Sequence, residues 1–117
     1  MSVGRRLAMG SGMAVVILSA YPRRLAAERA ARALVREGLL ACATVTPGAR
    51  AFYRWKGKDR AASTTLLWGK TTRAKASAAV RAIHESHPDE VPEILILPVV
   101  GGHEPYLAWV ESEVKGP

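Results

Sequence analysis

The sequence predicts an α+β fold of ferredoxin-like βαββαβ order, a sandwich with an extra helix at its C-terminal end. Three observations predict it. Met13 to Ser19 and Ile94 to Leu97 are continuous apolar runs that read as buried strands towards either end of the chain. Between them, Ala41 to Trp55 and Ser63 to Lys70 are β-prone stretches separated by a turn at Gly57, which together read as a hairpin. Two stretches with helical apolar spacing follow the first strand and the hairpin. Strand, helix, two strands, helix and strand make the split βαβ arrangement, with an antiparallel sheet and helices on one of its faces.

The chain of 117 residues is long enough for one core and one domain. Residues 1–12 carry arginines, glycines and serines without periodicity and are expected to form a loose leader, leaving 13–117 as the domain. The arginines ahead of Ala14 to Ala20 give the start a superficial likeness to a secretory signal. The apolar part is short and runs into Tyr-Pro-Arg-Arg without a small-residue cleavage site, so a signal is not expected. No apolar run is long enough to span a bilayer. The single cysteine, Cys42, rules out an intramolecular disulfide framework and fits a reducing cytoplasm.

Taken in order, Tyr21-Pro22 closes the first strand, with Pro22 suited to the first turn of a helix over Arg23 to Leu39. Arg24, Glu28, Arg32 and Arg36 recur every four residues as its solvent face. Ala27, Ala30, Ala31, Leu34 and Val35 form its buried side, and Gly38 supplies the C-terminal cap. Pro47-Gly48 interrupts the long strand and predicts a kink or bulge there. Past it, Ala51, Tyr53 and Trp55 share one face while Phe52, Arg54 and Lys56 share the other. Thr71 or Thr72 is placed to cap the second helix, whose stripe is Ala76, Ala79, Val80 and Ile83. Pro88 ends that helix at His87, and Pro92 leads into Ile94-Leu95-Ile96-Leu97, apolar on both faces as a central strand is. Glu104 to Val114 reads as a last helix with Pro105 at its start.

A sheet covered on one side leaves a bare face. Here it would carry large aromatics of the hairpin, which argues for a partner, most simply a second copy of the chain. The formal net charge of +7 is unevenly spread: residues 1–81 hold 16 of the 17 Lys and Arg, and residues 82–117 hold seven of the ten acids. Such a division is satisfied within a fold or between subunits, and no nucleic-acid partner is expected from it.

Four segments in this order resemble the CutA family of divalent-cation-tolerance proteins: ACATVTPGA at 41–49, FYRWKGK at 52–58, HPDEVPEILILPV at 87–99 and YLAW at 106–109. The resemblance runs from Val15 to Val110. It implies a ferredoxin-like subunit, a cytoplasmic homotrimer with strands paired across subunits in a PII-like layout, and a role tied to divalent metal ions such as Cu(II). The sequence also departs from the family. Ser19 stands where some bacterial members have cysteine, and Ser86-His87 where they have a His-His pair. Thr44 replaces a frequent asparagine and Asp89 a usual tyrosine.

The candidate metal ligands are His87, Asp89 and Glu93, with Glu90 beside them, and Cys42 as a separate thiol. Their spacing matches no established ligand motif, so the favoured reading of His87 is a helix-terminal histidine held by the terminus and neighbouring acids, and that of Cys42 is core packing. Tyr53, Trp55, Lys70, Glu93, Tyr106 and Trp109 are the candidates for a cleft between subunits, with Lys70 and Glu93 as a possible ion pair. The alternative is a PII-like signalling or scaffold trimer that binds a small ligand in such clefts, with metal binding incidental. No nucleophile with a positioned base is legible around His84, His87 and His103, so no enzymatic activity is expected.

Overall fold

The structure is a computed structural model and describes residues 13–114. The expected leader, residues 1–12, lies outside the described residues. The order is β1 (Ala14–Tyr21), α1 (Arg24–Arg36), β2 (Cys42–Trp55), β3 (Lys58–Thr72), α2 (Arg73–Ser86), β4 (Ile94–Pro98) and α3 (Glu104–Val114). The four strands form one antiparallel sheet in the order β2-β3-β1-β4. Among the described residues no helix is long and apolar enough to cross a membrane.

Alternation along β1 sorts the two faces. Val15, Ile17, Ser19 and Tyr21 are buried, whereas Val16, Leu18 and Ala20 are only half-buried. The first set meets Ala27, Ala30, Ala31 and Leu34 of α1 and Ala76, Ala79 and Ile83 of α2 in the main core. Small helix residues let both helices lie close on the sheet. Val35, assigned to that side by periodicity, is 41% exposed instead. The four buried residues of α1 already fill an i, i+3, i+4, i+7 stripe, and Val35 falls at its margin.

Helix ends follow local chemistry more than the expected boundaries. The N-cap of α1 is Arg23, which places Pro22 just outside the helix instead of in its first turn. At the other end the Gly38 amide donates to Val35 O at 3.1 Å and the Leu39 amide to Leu34 O at 3.0 Å. With Gly38 at φ 78° this is the paired capping motif that glycine favours. Thr72 occupies the N-cap of α2 without a side-chain capping bond. The Thr71 hydroxyl instead donates to Leu39 O at 2.7 Å, tying β3 to the end of α1.

The hairpin is longer than expected, because β3 begins at Lys58 and not at Ser63. Lys56 and Gly57, at φ 52° and 78°, form the two-residue turn between the paired Trp55 and Lys58. Positive φ at both positions suits the right-handed twist of the strands. The register shifts between Thr46 and Ala49, around Pro47-Gly48. Beyond that bulge β1 no longer accompanies β3, so Ala49–Trp55 and Lys58–Thr64 continue as a two-stranded ribbon.

β4 is an edge strand, not the central strand that its composition predicts. Among the described residues it pairs only with β1, and Leu95, Ile96 and Leu97 are 49%, 48% and 38% exposed. A run apolar on both faces demands two covered faces, and the described residues supply cover for part of one. α3 packs across the sheet end, where Val110 and Val114 bury against Ala41.

Candidate functional site

The structure separates the candidate ligands into two places. Cys42 begins β2 and shares a rung of the sheet with Lys70, Val16 and Leu97. His87 follows α2 and reaches β1 at Ala20, four residues further along that strand than Val16. That offset alone is about 13 Å at the usual strand rise. Among the described residues no group of three or more His, Cys, Asp and Glu is placed to hold a metal ion. His87, Asp89, Glu93 and Cys42 are therefore not one ligand set within the subunit.

His87 is enclosed because Pro88 turns the chain away from α2 and folds the imidazole under the end of β1. Its side chain is fully buried and stacks on Tyr21, with ring centroids 4.3 Å apart and planes at 26°. Nδ1 accepts the Asp89 amide N–H at 3.0 Å, and Nε2 lies 2.7 Å from the Ala20 carbonyl oxygen. An accepting Nδ1 and a carbonyl partner for Nε2 define the neutral tautomer with its proton on Nε2. Both nitrogens are thus engaged by backbone groups, and neither offers a lone pair to a metal in this arrangement. The Asp89 carboxylate lies 4.0 Å from Nδ1 and is half exposed. Glu93 holds its place through its backbone: the buried Ser19 hydroxyl donates to its carbonyl at 2.7 Å.

The second place is the corner where α3 meets β2. The Cys42 thiol and the Tyr106 hydroxyl lie 3.4 Å apart. Burial of the hydroxyl, and after it the Cys42 thiol, push the Tyr106 phenol up to about 12. Tyr106 also packs against Trp109, ring centroids 5.6 Å apart, and both remain 41% exposed. Lys70, on the same rung as Cys42, donates from Nζ to Thr44 Oγ1 at 3.1 Å and to Trp68 O at 3.2 Å. Within the subunit, then, Lys70 does not pair with Glu93, which lies beyond the opposite end of the β1–β4 register. Four candidates (Cys42, Lys70, Tyr106 and Trp109) are gathered at this corner. Tyr53 and Trp55 are exposed on the ribbon, away from it.

Sequence reasoning missed Tyr21 and Ser19 as partners of the His87 to Glu93 segment, and Thr44 as the partner of Lys70. Alternation along β1 does carry part of that signal. Ser19 occupies a core-facing position of an apolar strand, where a polar atom needs a partner.

The comparisons with known proteins agree with this architecture. The CutA1 divalent ion tolerance protein family matches residues 15–113. The "Divalent-cation tolerance protein CutA" of Pectobacterium atrosepticum is 37% identical over 102 residues, covering 87% of this chain and 93% of that protein. "Protein CutA, chloroplastic" of Arabidopsis thaliana is 32% identical over 101 residues, covering 86% of this chain and 56% of its own length. Among solved structures, CutA from Xylella fastidiosa superposes with a TM-score of 0.84 at 35% identity, over 87% of this chain and 98% of that one. The divalent cation tolerance protein of Thermus thermophilus gives 0.85 at 35% identity, over 88% and 100%. With nearly the whole domain matched in sequence and in fold, this chain belongs to the CutA1 divalent ion tolerance family.

Proposed function

We propose that this chain serves divalent-cation tolerance as a homotrimer without a catalytic step, and that cations meet it in clefts between subunits. The observation that carries the assembly is β4. Ile94 to Leu97 is apolar on both faces yet lies at the sheet edge, with Leu95 and Ile96 about half exposed. An open apolar edge invites pairing with another strand, and folded proteins cover it. The uncovered sheet face extends the same patch through Val16, Leu18, Leu66 and Trp68, all half-buried. A strand edge meeting a different surface of the next copy is a heterologous contact, which closes into a ring when the rotation permits. Three subunits is the number that the family resemblance implies.

The corner at Cys42 supports the cation reading better than His87 does. Its thiol is half-buried and its ionised form suits a soft cation such as copper. A neighbouring subunit would have to supply the further ligands. A second reading, a small ligand in the same cleft with metal binding incidental, is favoured by Lys70, which shares the rung of Cys42.

The test is light scattering followed by calorimetric titration of Cu(II), then Zn(II), into the wild-type protein and its Cys42→Ser and His87→Ala variants. A mass of three subunits, with saturable binding lost in Cys42→Ser, supports the cation reading. Binding lost only in His87→Ala would return the site to the loop before β4. A trimer that takes up neither metal would favour the small-ligand reading, and a monomer would refute the assembly.

A further inference from the structure

The helix side of the sheet is open where it ends at β4. Val80 from α2, with Val91, Pro92, Ile94 and Ile96, gives an apolar lining to a groove of about 700 Å³ between that helix and the strand. Ile94 and Ile96 pair with Ser19 and Ile17 of β1, so both belong to the side on which α1 and α2 lie. Ile96 and Val91 are nonetheless 48% and 65% exposed. Glu90 stands on the loop lip of the groove, and Arg81 and His84 on its α2 lip.

The ribbon beyond the bulge carries a side chain with little to cover it. Phe52 is 75% exposed, more than any other large apolar residue among those described. The Arg50 guanidinium lies 5.7 Å from the centroid of its ring. Phe52 pairs with Ala61, six residues along β3 from the buried Leu67, and alternation puts all three on the helix side. Groove and ring thus belong to one side of the sheet but to its opposite edges, given the order β2-β3-β1-β4. Three strand spacings, about 14 Å, hold those edges apart within a chain. Only a second copy can bring them together.

We propose that the outer edge of β2 in one copy pairs with the outer edge of β4 in the next, seating Phe52 in the groove between α2 and β4. Such pairing continues the sheet, keeps the two helix sides together and delivers the ring beside Ile94 and Ile96. Charge favours the same match. Residues 49–64 hold five Lys and Arg against Asp59 alone, whereas residues 85–93 hold four acids and no Lys or Arg. Arg50 comes with Phe52 to the groove whose loop lip carries Glu90, so opposite charges meet there. This docking rests on the assembly proposed above and assigns the surface that β4 meets.

The test places a photo-crosslinking group at this position in the full chain, Phe52→p-benzoylphenylalanine. Light and heavy-nitrogen copies are unfolded, refolded together and irradiated, and the crosslinks are mapped by mass spectrometry. The expected result is mixed-isotope pairs joining position 52 to residues 77–96 of another copy. Phe52→Asp should keep the circular dichroism of the subunit and weaken association about thirtyfold or more, as loss of a central aromatic anchor does. An oligomer crosslinked from position 52 to any other region, or to none, would overturn the docking and leave the assembly standing. So would Phe52→Asp that associates as tightly as wild type. A wild-type chain that is monomeric at micromolar concentration would overturn the assembly and the docking with it. If Phe52→Asp does not fold, the crosslink map decides the matter.

Discussion

The Leu40 side chain fills the space that a Cβ on Gly69 would need. An added Cβ would lie 2.8 Å from both Leu40 methyl carbons, with Leu40 itself only 1% exposed. Glycine at this point of β3 therefore lets the segment after α1 close over the sheet, a case of close approach where a strand glycine has a packing reason. Gly69→Ala should lower stability by about 1–3 kcal/mol, as overpacked cores do. Urea denaturation measures it. Adding Leu40→Val should recover part of the loss, because the two positions share one space.

Ser19→Ala should cost about 1–2 kcal/mol by orphaning the Glu93 carbonyl. The hydroxyl is fully buried and its bond to Glu93 O is 2.7 Å long. The loss should appear in the urea midpoint with an unchanged denaturant slope.

Tyr21 carries the opposite kind of polar group. Its hydroxyl is buried and has no hydrogen-bond partner among the described residues. Tyr21→Phe should leave stability unchanged or raise it, because it removes a buried polar atom that bonds to none of the described residues. It should also change alkaline unfolding. Burial raises the folded phenol from 10.0 to about 12, so above pH 10 the unfolded chain loses this proton first. Stability then falls as pH rises from 10 towards 12. Thermal melts across that window should show a weaker decline in Tyr21→Phe, with Tyr106 supplying part of what remains.

Leu95→Glu tests the edge strand. Leu95 is 49% exposed in the subunit and pairs with Leu18 on the face without α1 and α2. A carboxylate there should leave subunit folding within about 0.5 kcal/mol of wild type, as exposed substitutions do. It should shift the light-scattering mass from trimer to monomer at micromolar concentration. A variant that remains trimeric would remove this face from the interface.

The elements were legible because each carries its own punctuation. Glu104 to Val114 is bounded as the sequence suggests, with Pro105 in the first turn. Gly38, Pro47-Gly48 and Gly57 mark a cap, a bulge and a turn where the structure has them, since each position needs backbone freedom or a broken ladder. The hairpin was underestimated because Lys58 to Ala61 is exposed on both faces and gives periodicity nothing to register. The site was less legible. Grouping His87, Asp89 and Glu93 by sequence proximity missed that a buried imidazole bonds whatever backbone the fold brings to it, here Ala20 and Asp89.

The order of strands and helices and the positions of the turns were readable along the chain because glycine, proline and apolar spacing act locally, and the family was readable from four segments in order. That β4 lies at an edge, that Cys42 stands with Tyr106 and apart from His87, and that both His87 nitrogens are engaged emerged from the folded arrangement. Those facts depend on strand order and register, which bring together residues as far apart as Ser19 and Glu93. No local pattern encodes which backbone carbonyl will lie across from a given side chain.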